Sequence, residues 1–212
     1  MRGALVTLAL LLLATSCGGG GEASDTTATG ECENVEQPAP RQPEALTAPT
    51  EALADGTTYS LTFETSCGTF VVELDNGFAP NTAASLVALG RKGYFDDTVF
   101  HRIVPGFVIQ GGDPTQTGSG GPGYKTVDAP PSGSQYTKGT FAMAKTPTEP
   151  AGTAGSQFFV VTGEDVQLPA DYAIVGEVTD GLDVVERIGG LGGADERPTQ
   201  PVVIRRVTVA QS

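Results

Sequence analysis

Polar and apolar positions alternate with a period of two along residues 59–64, where Tyr59, Leu61 and Phe63 are separated by Ser60, Thr62 and Glu64. Such alternation sets one face of a β-strand in a core and the other in water. Ser66-Cys67-Gly68 reads as a turn, after which Phe70, Val72 and Leu74 alternate with Thr69, Val71 and Glu73. The two runs predict a hairpin. Over residues 79–92 the period changes: Pro80 suits a first helical turn, and Ala83, Leu86, Val87 and Gly90 share one face of the helix. Short strand-like runs follow at 99–104, 107–110, 140–144, 157–161 and 173–178. Asp180 is placed to cap a second helix reaching Ile188, with Gly189 ending it, and residues 202–209 read as a last strand. About eight short strands, two helices and loops rich in Gly and Pro predict a mainly β fold, a closed antiparallel barrel with helices over its ends.

The chain ahead of this pattern is of another kind. Arg2 precedes a mainly apolar run over residues 4–14, followed by Thr15-Ser16-Cys17. A basic start, a short apolar core and small residues form an export signal over residues 1–16. The apolar core is too short to span a bilayer, which takes about 20 residues. The ending Leu13-Ala14-Thr15-Ser16-Cys17 resembles a bacterial lipobox, in which the Cys thiol receives a diacylglycerol; Ala14 holds the position where Leu is commonest. The plainer alternative is an ordinary signal with an incidental Cys. The lipid reading predicts a membrane anchor on Cys17, with the protein held on the extracytoplasmic face of the cell membrane. Residues 17–57 nearly lack bulky aliphatic and aromatic side chains, and small, acidic and Pro residues dominate. They predict a disordered, flexible tether. One domain then covers residues 58–212.

Charge and composition narrow the partners. The chain carries 25 acidic against 12 basic residues, a net −13. Phosphate would be repelled, which argues against nucleic acid and against direct binding to anionic lipid. A single His excludes any site that needs two, and three Cys without a C-x-x-C pair give no zinc or thioredoxin signature. Outside the cytoplasm thiols tend to pair. With Cys17 taken by lipid, Cys32 and Cys67 remain, and a disulfide between them would pin the tether to the first hairpin. No heptad and no long apolar edge is visible, so a monomer is expected.

Three suggestive patterns carry little. Residues 118–123 spell G-x-G-x-x-G, but Pro122 and a loop-like continuation replace the helix that a dinucleotide site requires. His101 has no G-x-S-x-G partner to make a hydrolase and reads as structural. The acidic residues form no calcium loop and read as solvated surface.

The informative stretch is Phe100-His101-Arg102-Ile103-Val104-Pro105-Gly106-Phe107-Val108-Ile109-Gln110-Gly111-Gly112-Asp113-Pro114. One strand carries Arg102, a Pro-Gly turn reverses the chain, and the next strand carries Phe107 and Gln110. Gly155-Ser156-Gln157-Phe158-Phe159 again sets a polar side chain beside aromatics. Polar donors next to rings suit a shallow apolar pocket with few orienting hydrogen bonds.

Together with Pro80-Asn81-Thr82, Gly93-Tyr94-Phe95-Asp96 and Thr140-Phe141-Ala142-Met143-Ala144, these stretches resemble the cyclophilins, a family of peptidyl-prolyl cis-trans isomerases, from about Thr58 to Val209. The resemblance implies an eight-stranded barrel with two capping helices and an enzyme that rotates Xaa-Pro imide bonds without metal or cofactor. Its partners would be proline-containing peptides and unfolded or exported proteins. It implies Arg102 as the catalytic arginine, with Phe107, Val108, Phe159 and Leu168 as the proline pocket. Gln110 would orient Arg102, Gln157 would hold the substrate backbone, and Ala144 would contact the peptide. Lys145 stands where Asn is usual and Tyr172 where His is usual; both are expected at the substrate. Gln167 replaces a Trp that binds cyclosporin, so drug binding does not carry over. A second reading from another class is a non-catalytic module or chaperone that docks proline segments at the cell envelope.

Overall fold

The computed structural model describes residues 30–164 and 166–212, with Met1 and Gly3 as isolated positions. The rest of the predicted signal segment, and Cys17, lie outside the described residues.

The first hairpin joins β1 (Tyr59–Thr65) to β2 (Gly68–Leu74), with Thr65 facing Gly68 across the turn. Its alternation delivers Leu61, Phe63, Phe70 and Val72 to a water-free interior. Helix α1 (Pro80–Arg91) has no capping side chain of its own. Instead the Asp128 carboxylate accepts the Thr82 N–H (2.7 Å) and the Thr82 hydroxyl (2.6 Å), satisfying the helix start from a distant loop.

The strands that follow are β3 (Thr98–Val99), β4 (Arg102–Val104), β5 (Val108–Gly111), β6 (Thr126–Val127), β7 (Thr140–Met143), β8 (Thr153–Ala154), β9 (Phe158–Val161), β10 (Ile174–Asp180) and β11 (Val203–Gln211), with helix α2 (Leu182–Gly189) before the last. Nine of the eleven strands form one sheet, in the order β3-β11-β1-β2-β10-β7-β9-β5-β4, and β6 pairs with β8 apart from it.

The expected mainly β, barrel-like fold with two helices is present, its main sheet carrying nine strands rather than eight among the described residues. The predicted run 99–104 is two strands, with β3 on β11 and β4 on β5, at opposite ends of the sheet order. Phe100-His101 carries the chain from one edge to the other, so the sheet is strongly curled, yet no ladder joins β3 to β4. Loop carbonyls take the backbone donors at the junction: Phe100 N–H donates to Val202 O (3.0 Å) and Ile103 N–H to Glu196 O (2.8 Å). The second helix also starts later than expected. Asp180 ends β10, and Gly181 (φ 73°) is the residue before α2. A Cβ at Gly181 would lie 2.3 Å from Thr69 O, so glycine is required both for the dihedral and for the close approach.

Residues 30–57 differ from the expected free tether. They form an extended strap laid on the domain. Cys32 is disulfide-bonded to Cys67, and Glu33 N–H donates to Ser66 O (2.7 Å). Arg41 N–H donates to Pro114 O (2.9 Å), Leu46 N–H to Pro122 O (2.7 Å), and Leu46 and Leu53 pack against the core. The strap has little apolar surface of its own; backbone hydrogen bonds and the crosslink supply what composition lacks.

Candidate active site

The outer face of the curled sheet carries a row of side chains set by strand register. Arg102 on β4 faces Gln110 on β5, Gln110 faces Phe159 on β9, and Phe159 faces Ala142 on β7. One residue along, the row Ile103, Ile109, Val160 and Phe141 points to the interior instead. A period of two therefore assigns neighbouring residues to core and site.

The outer row is packed by its own small apolar cluster. Val108, Tyr136, Ala142, Phe159 and Val161 are buried in it, and Phe107, Ala144, Leu168 and Tyr172 pack at its rim. The ring of Phe159 meets Tyr172 edge to face at 5.6 Å. The Tyr136 hydroxyl donates to Tyr172 O (2.7 Å) and accepts from Tyr172 N–H (3.0 Å), which fixes the backbone of the pocket wall. The result is a shallow pocket of about 170 Å³ lined by Arg102, Phe107, Val108, Gln110, Ala144, Lys145, Phe159, Leu168 and Tyr172. Gln157 lines the adjoining hollow, which shares Gln110, Ala144 and Lys145 with the pocket. Gln167 is exposed at φ 49° and is not in the lining.

A polar chain crosses this apolar floor. Arg102 Nε donates to Glu196 Oε2 (2.7 Å), and Arg102 Nη1 lies 3.4 Å from Gln110 Oε1. Gln110 Nε2 donates to Gln157 Oε1 (3.1 Å), and Gln157 Nε2 donates to Gly120 O (3.0 Å). Gly120 belongs to a loop wound around Asp113. That carboxylate is fully buried and accepts the Thr115 N–H (2.8 Å), Gly118 N–H (2.7 Å) and Gly120 N–H (3.1 Å). Burial pushes the Asp113 carboxyl up, but the Thr115 hydroxyl and the Gly120, Thr115 and Gly118 amides outweigh it and hold the group below its ordinary value. Burial also lowers His101, helped by Arg102 and opposed by Asp113, so the imidazole is neutral at pH 7.

Lys145 lies in the lining, but its ammonium is otherwise engaged. Its side chain is only 2% exposed, pairs with Asp171 (2.5 Å) and donates to Glu149 O (3.1 Å). It also sits 5.5 Å from the centre of the Tyr172 ring. Its structural effect is to brace Tyr172 and Asp171, rather than to offer a free charge to a ligand.

The structure gathers Arg102, Phe107, Val108, Gln110, Ala144, Lys145, Phe159, Leu168 and Tyr172 around one pocket with Gln157 beside it, and adds three supporting residues that sequence reading missed. Asp113 was inside the quoted stretch, where Asp-Pro-Thr-x-Thr-Gly carries the signal of a carboxylate-centred loop. Tyr136 and Glu196 gave no local signal; Glu196 is 94 positions from the arginine it meets.

Known proteins with this arrangement place the chain. The pattern of the family described as "Cyclophilin type peptidyl-prolyl cis-trans isomerase/CLD" matches residues 60–209. A probable peptidyl-prolyl cis-trans isomerase A from Mycobacterium leprae is 40% identical over 167 residues, covering 70% of this chain and 91% of that protein. A peptidyl-prolyl cis-trans isomerase-like 1 from Gibberella zeae is 37% identical, covering 73% and 96%. Among solved structures, a cyclophilin-type isomerase from Cryptosporidium parvum superposes with a TM-score of 0.66 at 29% identity, covering 72% of this chain and 98% of that one. The same protein in the presence of the dipeptide Ala-Pro gives 0.65 at 30% identity, covering 71% and 98%. This chain belongs to the cyclophilin-type peptidyl-prolyl cis-trans isomerases.

Proposed function

We propose that Arg102 lowers the barrier to Xaa-Pro rotation by donating to the imide nitrogen of a proline held against Phe107, Val108, Phe159 and Leu168. The imide bond has partial double-bond character and a barrier near 18–20 kcal/mol. Uncatalysed exchange takes about 10–100 s. Reaching a turnover of about 10–1000 s⁻¹ asks for roughly 4–7 kcal/mol. No bond is broken, so the enzyme needs differential stabilisation of the twisted state and no nucleophile.

On twisting, the nitrogen loses conjugation and regains a lone pair. A planar ground-state nitrogen accepts poorly, so a fixed donor aimed at it acts on the transition state more than on the substrate. A guanidinium is planar, permanently charged and offers five N–H donors. Its Nε is held by Glu196 and its Nη1 faces Gln110, which orients the plane while leaving other N–H groups for a substrate. The observation that carries this reading is the placement of that oriented cation at the rim of an apolar pocket of about 170 Å³, among two phenyl rings. Gln157, tied to Gly120 O, stands where it would hold the substrate backbone, and Ala144 lies beside it in the lining.

The same proposal places the enzyme outside the cytoplasm, as a monomer anchored through lipid on Cys17 and assisting the folding of exported proteins. The signal-like segment over residues 1–16 and a disulfide at Cys32–Cys67 support an oxidising compartment. A protease-coupled assay on an Xaa-Pro peptide tests the chemistry: wild type turns over, and Arg102→Ala loses nearly all of the rate. Equal rates in the two would reject the mechanism. A dead variant that still supports growth of a deletion strain would favour proline-segment binding instead. Mass spectrometry of membrane-extracted protein tests the anchor.

A further inference from the structure

The strap builds a wall from residues that lie ahead of the matched family domain. Residues 30–57 lie outside the matched range 60–209, yet Pro40–Glu44 face the glycine loop across a cleft of about 750 Å³. The two sides were made for each other. Gly123 has φ 87°, and a Cβ there would lie 2.8 Å from Ala45 Cα, so glycine alone lets the loop meet the strap. Arg41 donates to Tyr94 O and lies 5.7 Å from the centre of the Tyr94 ring, which locks the strap beside the loop. Gln116 Nε2 donates to Pro38 O (2.9 Å).

This cleft is linked to the proline pocket through an intervening hollow that shares lining residues with both. The pocket shares Gln110, Ala144 and Lys145 with the hollow beside Gln157, and that hollow shares Ser119, Gly120 and Lys125 with the strap cleft. Proline, glycine, serine and threonine make up most of the cleft lining. Lys125 pairs with Glu149 at 2.9 Å, whereas Arg41 donates to a neutral backbone carbonyl and keeps its charge at the cleft. Glu44 remains as a carboxylate on the strap side.

We propose that the strap cleft is an additional subsite for the substrate polypeptide, holding an extended segment a few residues from the isomerised proline. The inference rests on the reading that the Arg102 pocket holds that proline. An open cleft lined mostly by uncharged residues of a strap and a glycine loop suits a chain in extended form. The disulfide is then what keeps the outer wall in place on the extracytoplasmic side.

The test uses the full chain and compares kcat/KM on an Xaa-Pro tetrapeptide with twelve-residue peptides of the same centre, carrying neutral, Lys or Glu flanks. Wild type is expected to prefer all three long peptides by about tenfold, through a lower KM. Two variants then remove the subsite differently. Cys32→Ser with Cys67→Ser unpins the strap. Gly121→Trp fills the cleft; a Cβ at Gly121 meets open space, so the backbone can carry the side chain. Both should bring the long-to-short ratio towards one. A ratio near one in wild type, or one left intact in both variants, overturns the strap subsite alone. Absence of tetrapeptide turnover in wild type overturns the proline-pocket reading and this inference with it.

Discussion

Neighbouring residues on β5, β7 and β9 serve opposite faces of the same sheet. Ile109, Phe141, Phe158 and Val160 point inward and join the large core, while Val108, Ala142, Phe159 and Val161 point outward into the small cluster under the pocket. The inner face is sealed: Phe158 alone contacts Phe63, Phe95, Phe100 and Phe141 at ring distances of 4.9–6.1 Å. On the outer face apolar packing is deliberately incomplete, with a polar chain from Glu196 to Gly120 lying across it. Stability resides mainly behind the sheet and chemistry in front of it, separated by one peptide unit.

Substitutions on the two faces should therefore separate stability from rate. The largest effect is expected from Phe158→Ala, which empties the centre of an aromatic cluster and should lower unfolding free energy by about 3–5 kcal/mol in a urea titration. Next comes Arg102→Ala, which should cut kcat/KM about 10²–10³-fold, or about 3–4 kcal/mol, with little change in Tm. Arg102→Lys should lose most of the same rate, because an ammonium cannot bond Glu196, Gln110 and substrate at once in one plane. If Arg102→Ala unfolded the protein, the division between faces would fail.

Glu196→Gln should act only through the arginine. The pair is partly exposed, so its contribution to stability is small. Loss of the charge-assisted bond to Nε loosens the guanidinium plane, and kcat should fall about tenfold with KM little changed, about 1.4 kcal/mol. A fall in Tm with unchanged kcat would make Glu196 a structural group instead.

The smallest and broadest effect is on acid stability. Asp113 lies below its ordinary value, so its contribution is present above about pH 3.8 and is lost as pH falls through its folded pKa. The Thr146 N–H and Lys125 hold Glu149 down to about 2, against 4.5 ordinarily, so its contribution fades between those two values. Unfolding free energy should fall modestly as pH drops below about 6.5, where the unfolded chain protonates His101 and the folded chain keeps it neutral, and fall further below about 4.5. Asp113→Asn should remove part of that acid slope and weaken peptide binding, since the loop carrying Gly120 loses its centre.

Much of the site was legible because it is local in sequence. Arg102, Phe107 and Gln110 sit on one hairpin, and Gln157 directly precedes the strand that carries Phe159, so short-range pattern and family resemblance reach them together. What escaped needed contacts between distant segments. Glu196 reaches Arg102 from a loop near the end of the chain, and Tyr136 grips Tyr172 across 36 positions. The Cys32–Cys67 crosslink of the strap was legible from the cysteines, but the rest of the strap read as a flexible tether because its composition is poor in apolar residues, and its backbone bonds to the domain are not encoded by composition.

Alternation along β1 and β2 settled by itself which of their residues are inner and which outer, because a pleated backbone turns every second side chain to the same face. The charge balance and the lack of paired His or Cys ligands likewise needed no coordinates to narrow the chemistry. Only the tertiary structure decided that the sheet curls without a closing ladder, that a distant carboxylate orients the arginine, and that the strap lies along the glycine loop. Each of these depends on a pairing between segments far apart in the chain, and such pairings are chosen by the packing of the whole domain rather than by any local preference.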